Sequence, residues 1–434
     1  MNSEHAASTE RSAWRRSLAF AVLLALALRI AAIFVLGALQ LAERGDVWRW
    51  GHEPACLAQA LLDGRGFSDP WGKGTGASSW LTPPYPLLLA ALMKSFGGVN
   101  AASALALHAF HAAVSALNCI LLADLGRRWC SPRVGLVAAW VFALYPIAIS
   151  NAAQLVWDTT LVACALTGVL CVLARDDGSR RWAAVSGASF GALLLLNPAP
   201  MSLAPLAALW LARSASSPRE RAQRVVIFAL TAFALIAPWM ARNQAVLGSF
   251  TLRPNLGVEL RIGNHSEANG RPIAFRYHPS HVPEELALYR RLGEVEYSRE
   301  NFSRARDWIS AHPGDFAALT AKRAVLFWVG ESPLSDPRRS DGLSPRGDPS
   351  SWIKFASYLA GGVLAWIALA RWRGARDVRW FCAAALLLYG APYYVTHVSE
   401  RYRFPIDPLI VLLSTCALVG GRETATGARN EARA

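Results

Sequence analysis

Two carboxylates, Asp46 and Glu53, stand just beyond the first long apolar run of the chain, and Pro54 follows Glu53 at the start of a helical stretch, 54–62, that Gly64 closes. A carboxylate so placed can act as a general base toward a hydroxyl or amine. Acidic residues also cap helices, and on residue type alone both readings stay open. A helix N-terminus favours the charged form of such a group, whereas nearness to lipid and protein interior favours the neutral one. Near the other end, Arg401 and Arg403 flank Tyr402 in SERYRFPID. Guanidinium forks match phosphate oxygens two at a time; equally, these arginines could pair with Glu400 and Asp407 or with lipid headgroups. Arg242 in PWMARN is a further candidate anion ligand or a juxtamembrane anchor, and Lys322 and Arg323 lie on the polar side of an amphipathic stretch. Asp158, after Trp157, is an acid at or near membrane depth that either serves a site or faces water at the interface. One base and several cations suit group transfer from a phosphate leaving group. Glycoside hydrolysis, by contrast, needs a second acid to protonate a poor leaving group.

The elements that must position these residues are membrane helices. Of 434 residues, 53% are hydrophobic and only 17% charged, too apolar a composition for an ordinary soluble protein. Apolar runs fall at 18–41, 101–125, 134–150, 152–174, 183–197, 199–212, 224–240, 352–370, 380–396 and 404–420, which predicts an all-α polytopic protein of about ten crossings. The first run is too long for a signal-peptide core and contains Arg29, which needs a partner or must snorkel. Asn197, Pro198 and Pro200 break the 183–212 stretch into two short helices. The formal charge of +14 comes from arginines that punctuate alternate loops. This is a topology signal rather than a nucleic-acid one, and it places both termini in the cytoplasm. The organisation read from these features is a cytoplasmic N-terminus (1–16), a transmembrane region (17–240) with a first outer loop at 42–100, a second outer loop region (241–351), C-terminal transmembrane helices (352–420) and a cytoplasmic tail (421–434). In the first loop, PPYPLLLAALMKSFG predicts an interfacial helix; in the second, helices are expected near 283–292, 295–311 and 313–330, followed by a linker at 332–350. The stretch NLGVELRIGN is expected to form a shaped turn.

Metal chemistry has little support. His108 and His111 share a helical face without a third ligand and read as packing or hydrogen-bonding residues; His278, His281, Glu284 and Glu285 lie among prolines and read as a solvated loop. No DxD motif faces outward, so no cofactor is required, although a weakly held divalent metal stays compatible with the sequence. Seven cysteines form no CxxC pair and no disulfide framework.

The succession HEPACLAQALLDGRGFSDP, TGASSWLTPPYPLLLAALMKSFG, APWMARNQAVLGSF, NLGVELRIGN and ERYRFPIDPLIVLL resembles the bacterial family 39-type membrane glycosyltransferases of the GT-C superfamily, to which protein O-mannosyltransferases and lipid A aminoarabinose transferases also belong. The resemblance runs from the first span to the last. It implies a GT-C-type bundle with two outer loop regions carrying interfacial helices, in a bacterial inner membrane. It also implies a polyprenyl-phosphate-sugar donor, a lipid, glycan or protein acceptor, and an acid of the first outer loop as base. The matching acid is Glu53, with Asp46 as its competitor because some relatives carry an aspartate nearer the span end. The alternatives are a flippase or transporter for a lipid-linked sugar, which would favour broken helices and repeated halves, and a ligase of lipid-linked glycans that works without an essential acid.

Overall fold

A computed structural model describes residues 2–39, 50–271, 276–330, 332–334 and 349–419, with side chains described from residue 11 onward. Asp46, most of the 332–350 linker and the tail at 421–434 lie outside the described residues. Among the described residues the regular structure is helical, with a single isolated bridge between Ser68 and Ala77.

Helix α1 (Asn2–Val35) is followed by α2 (His52–Leu62) and α3 (Pro84–Phe96) of the first loop. Then come α4 (Ala101–Trp129), α5 (Pro132–Ala143), α6 (Pro146–Gln154), α7 (Thr159–Leu173), α8 (Arg180–Leu196), α9 (Ala204–Ala212) and α10 (Pro218–Leu247). The second loop contributes α11 (Leu256–Gly263), α12 (Pro283–Leu292), α13 (Glu294–Ala311) and α14 (Pro313–Val329). The chain closes with α15 (Pro349–Ala370), α16 (Arg376–Val395), the single turn α17 (Glu400–Arg403) and α18 (Asp407–Val419). Among the described residues five helices are long and apolar enough to cross a membrane, and the bent pair α5–α6 makes a sixth. The remaining expected crossings coincide with shorter or more polar helices: α7, α8, the 3-10 turn with α9, and α16.

Two breaks follow from proline. The 134–150 run does not continue as one helix: it bends by 49° between α5 and α6 because Pro146, at the first turn of α6, has no N–H to extend the α5 ladder. The carbonyls this leaves open are taken by Arg29. Its guanidinium donates to the carbonyl oxygens of Phe142 and Ala143, each at 3.0 Å, while Nε donates to Ser115 Oγ at 2.7 Å. The partner that a mid-span arginine requires is thus a helix end. The second break is the expected one: α8 stops at Leu196, Asn197 Oδ1 accepts the Ala199 N–H at 2.9 Å, and a 3-10 turn at Ala199–Leu203 leads into α9.

Small residues let the bundle close. Gly187 and Gly191, one turn apart on α8, lie so near the α10 backbone at Phe228 and Ala232 that neither has room for a Cβ. NLGVELRIGN corrects the expectation of a turn: it is the helix α11, and neither Gly257 nor Gly263 has a positive φ. Their lack of a Cβ serves close approach, to Ser298 and Phe302 on α13 and to the Thr396 carbonyl after α16. The two expected hydrogen-bonding histidines do pair internally, His108 Nδ1 with the Ala152 carbonyl at 3.1 Å and His111 Nε2 with the Tyr85 hydroxyl at 3.4 Å.

Candidate active site

The GRGFSDPWGKGTG stretch is a folded loop rather than a loose one. Asp69, held at φ 60°, accepts the backbone N–H groups of Gly74, Thr75 and Gly76 on one carboxylate oxygen at 2.9–3.0 Å, and pairs with Arg65 through the other. Two clasps fix this loop in place. Arg242, near the C-terminal end of α10, donates to the Phe67 and Ser78 carbonyls at 2.9 and 2.8 Å. Buried Glu294, at the start of α13, accepts the Ser78 hydroxyl at 2.5 Å, the Ser79 N–H at 2.7 Å and the Tyr289 hydroxyl at 2.9 Å. Arg242 therefore spends these donors inside the protein, joining span to loop.

Helix α2 lies between the two loop systems. Its Leu57 packs with Trp71, Trp80, Val258, Ile262 and Tyr289, and its Ala58 with Trp50, Tyr85, Leu89 and Val156. The helix begins after Gly51 at φ 73°, where a Cβ would meet the Val156 carbonyl oxygen at 2.5 Å; this fixes the chain's arrival angle. Glu53 is consequently turned inward and is only 5% exposed. Its Oε2 is buried without a hydrogen-bond partner, and its Oε1 lies 3.7 Å from His278 Nε2. Burial lifts the carboxyl to about 7; its own backbone N–H, Arg401 and Arg253 pull the other way, while Glu259 adds to the rise. A carboxylate poised near neutrality with one oxygen unsatisfied has the properties a general base needs.

The cations the sequence singles out part company. Arg401 turns toward Glu53, its guanidinium carbon 4.2 Å from the Trp157 ring centroid and 5.3 Å from that of Tyr402. Tyr402 stacks on Tyr393 and faces His397 Nε2 at 3.2 Å, and His397 in turn lies 3.6 Å from Glu259. Asp158 borders this group and accepts from Asn197 at 2.8 Å. Arg403 points the other way, into the bundle. It pairs with Asp407 at 2.9 Å and donates to the Trp328 and Tyr358 carbonyls at 2.7 and 2.9 Å. The second arginine of the pair is thus placed away from Glu53, in the ion pair with Asp407 that the i,i+4 spacing offered.

Lys322 and Arg323 also separate. Adjacent helical residues point about 100° apart, so Lys322 is exposed while Arg323 is fully buried against α11 and the end of α16, bonded to Asn264, Gly263 and the Tyr394 and Val395 carbonyls. Only Lys322 stays on the exposed face expected of both. His278 belongs to the Glu53 site, not to the solvated loop in which the sequence placed it, while His281 is exposed as expected. Arg253, His397 and Glu259 complete the group. Glu53 and His278 stand 225 positions apart, which left no local spacing by which their meeting could be read. Among the described residues no three His, Cys, Asp or Glu side chains gather as metal ligands.

No family model matches the sequence, and no curated protein matches it. Among solved structures the chain is similar to the oligosaccharyltransferase AglB of Archaeoglobus fulgidus in complex with an inhibitory peptide and a dolichol-phosphate. They share 15% identity over 94% of this chain and 50% of that one, with a TM-score of 0.52. It is similar also to the apo form of the Archaeoglobus fulgidus oligosaccharyltransferase, at 15% identity over 93% of this chain and 50% of that one, TM-score 0.52. The chain spans about half the length of these proteins. At such low identity the likeness is one of fold: the chain shares with these oligosaccharyltransferases the path of its helices.

Proposed function

We propose that this protein is a glycosyltransferase of the bacterial inner membrane, with both termini cytoplasmic, that moves a sugar from a polyprenyl-phosphate donor to a lipid, glycan or protein acceptor on the outer face. The observation that carries the reading is the buried, half-unsatisfied Glu53 carboxyl at the same end of the bundle as Arg401 and Arg253. In the reaction the acceptor oxygen or nitrogen bonds to the sugar's C1, the C1–O bond to phosphate breaks, and polyprenyl phosphate departs with the electron pair. Glu53 Oε2 takes the acceptor's proton. Arg401 and Arg253 neutralise charge growing on the phosphate, with Arg253 Nε buried and unpartnered. Aromatic walls at Trp157 and Tyr402 hold the Arg401 guanidinium in place before substrate arrives. The fold is consistent with this chemistry, and the solved AglB structure contains a dolichol-phosphate.

The test is transfer from a panel of labelled polyprenyl-phosphate sugars in membranes, with lipid and protein fractions counted separately, for wild type, Glu53→Gln and Asp46→Asn. Transfer in wild type and Asp46→Asn but not in Glu53→Gln supports the assignment; loss in Asp46→Asn alone moves the base to Asp46. Labelled donor crossing the membrane without transfer would replace the enzyme with a flippase.

A further inference from the structure

Helices α4 and α18 meet at their C-terminal ends, and backbone packing fixes how closely. A Cβ on Gly126 of α4 would lie 2.5 Å from the Gly135 Cα of α5 and 2.9 Å from the Leu412 Cδ1 of α18, so α4 packs without slack against both. Four residues further along each helix, one turn on, Cys130 closes α4 and Cys416 stands in the last turn of α18, with their Sγ atoms 2.8 Å apart. That separation is within about 0.8 Å of a disulfide bond, about 2.05 Å long. Both thiols are half-buried and within reach of a small reagent, whereas Cys119, Cys164, Cys171 and Cys382 are buried; Cys56, in α2, is the other half-buried thiol. We propose that Cys130 and Cys416 are a thiol–disulfide site, a reversible covalent tie between α4 and α18. The inference is independent of what the protein transfers.

The oxidant is a small disulfide such as glutathione disulfide. The hydrogen bond to Cys416, and burial after it, hold the Cys130 thiol protonated, so Cys416 is the sulfur that attacks first. Its thiolate bonds to one sulfur of the oxidant and expels the other half as thiolate. With Cys416 in the mixed disulfide, the charge that held the Cys130 proton is gone. Cys130 releases that proton, attacks Cys416 Sγ and expels the second half. Two protein thiols are oxidised, one glutathione disulfide is reduced, and the two glutathiones take up the two protons. Arg127, Arg128 and Arg133 stand within three residues of Cys130, in a loop that the arginine pattern assigns to the cytoplasm. Disulfides there are transient and redox-sensing rather than permanent. The tie would fix one end of the helix whose other end, at Asp407, holds Arg403.

The test uses the full chain in membranes, equilibrated with glutathione disulfide and glutathione, its free thiols then blocked with N-ethylmaleimide and the protein digested without reductant. Expected by mass spectrometry is a linked pair of peptides carrying Cys130 and Cys416, with Cys56 alkylated and the link lost in dithiothreitol. The thermal unfolding midpoint of the oxidised wild type should lie above that of the reduced protein, a shift absent from Cys130→Ser and Cys416→Ser. Alkylation of both Cys130 and Cys416, or linkage of either to Cys382 or to a second chain, would overturn the site. A link that forms only with a metal-catalysed oxidant would overturn the exchange reaction, and a link that leaves the midpoint unmoved would overturn the tie between the helices.

Discussion

Replacing Glu53 by glutamine should make the protein more stable and inactive, and the gain should depend on pH in a calculable way. In the unfolded chain the carboxyl titrates at 4.5; in the fold burial lifts it to about 7. Its folded-state value is raised, so the folded state holds the proton more tightly, and stability associated with the neutral form is complete below 4.5. As pH climbs from 4.5 to 7 the unfolded state ionises first and stability falls; above 7 the loss is complete. The rise from 4.5 to about 7 corresponds to about 3 kcal/mol, at 1.36 kcal/mol for each tenfold in proton affinity. Glutamine keeps the size and cannot ionise. The assay is unfolding in detergent micelles at pH 5 and pH 8.5, wild type against Glu53→Gln. The variant's gain is expected to grow from under about 1 kcal/mol at pH 5 to about 3 kcal/mol at pH 8.5. A difference that does not change with pH would refute the claim that the fold holds Glu53 against its ionisation, whatever the transfer assay finds.

The same titration predicts that transfer rises with pH through about 7, since only the ionised carboxylate accepts the acceptor's proton; a pH–rate profile of kcat/KM checks it, and a rate flat across that range would count against Glu53. Arg401→Ala should weaken donor binding by about 1.5–3 kcal/mol, one to two orders of magnitude in Kd, with thermal stability nearly intact, as measured with a labelled polyprenyl phosphate. Arg403→Ala should do the reverse, leaving Asp407 buried without its cation and costing about 3–5 kcal/mol of stability. Gly51→Ala should lower both activity and stability, by about 1–3 kcal/mol, because it forces a side chain into the left-handed region against the Val156 carbonyl.

What the sequence made legible is what local rules control. Apolar runs located the helices, prolines located the break after Leu196, and the three second-loop helices lie within a residue or two of their expected bounds. Glu53 could be named because it sits beside a helix start after a span. The failures share a cause: the partners are distant in sequence. That Arg403 closes on Asp407 while its near neighbour Arg401 turns to Glu53 depends on where the Trp328 and Tyr358 carbonyls lie. Arg323 is buried because α14 packs on the end of α16, which hydrophobic pattern alone does not report. His278 was set among loop prolines, and only the fold brings it to Glu53.

Arg29 has a consequence for the order in which the protein is made. Its partners Ser115, Phe142 and Ala143 are synthesised 86 to 114 residues later. During translation the first helix therefore reaches the membrane with a guanidinium near its middle that has only the Ala25 carbonyl of its own preceding turn to receive it. An arginine at a helix centre costs about 2.5–3.5 kcal/mol on insertion scales, and the leucine, isoleucine, valine and phenylalanine side chains around it, at about 0.3–0.6 kcal/mol each, offset that cost. The first helix can therefore enter the bilayer alone, its arginine bent back on its own turn, and the arrival of α4 and α5 converts that solitary guanidinium into the staple that ties the first helix to the bend between α5 and α6.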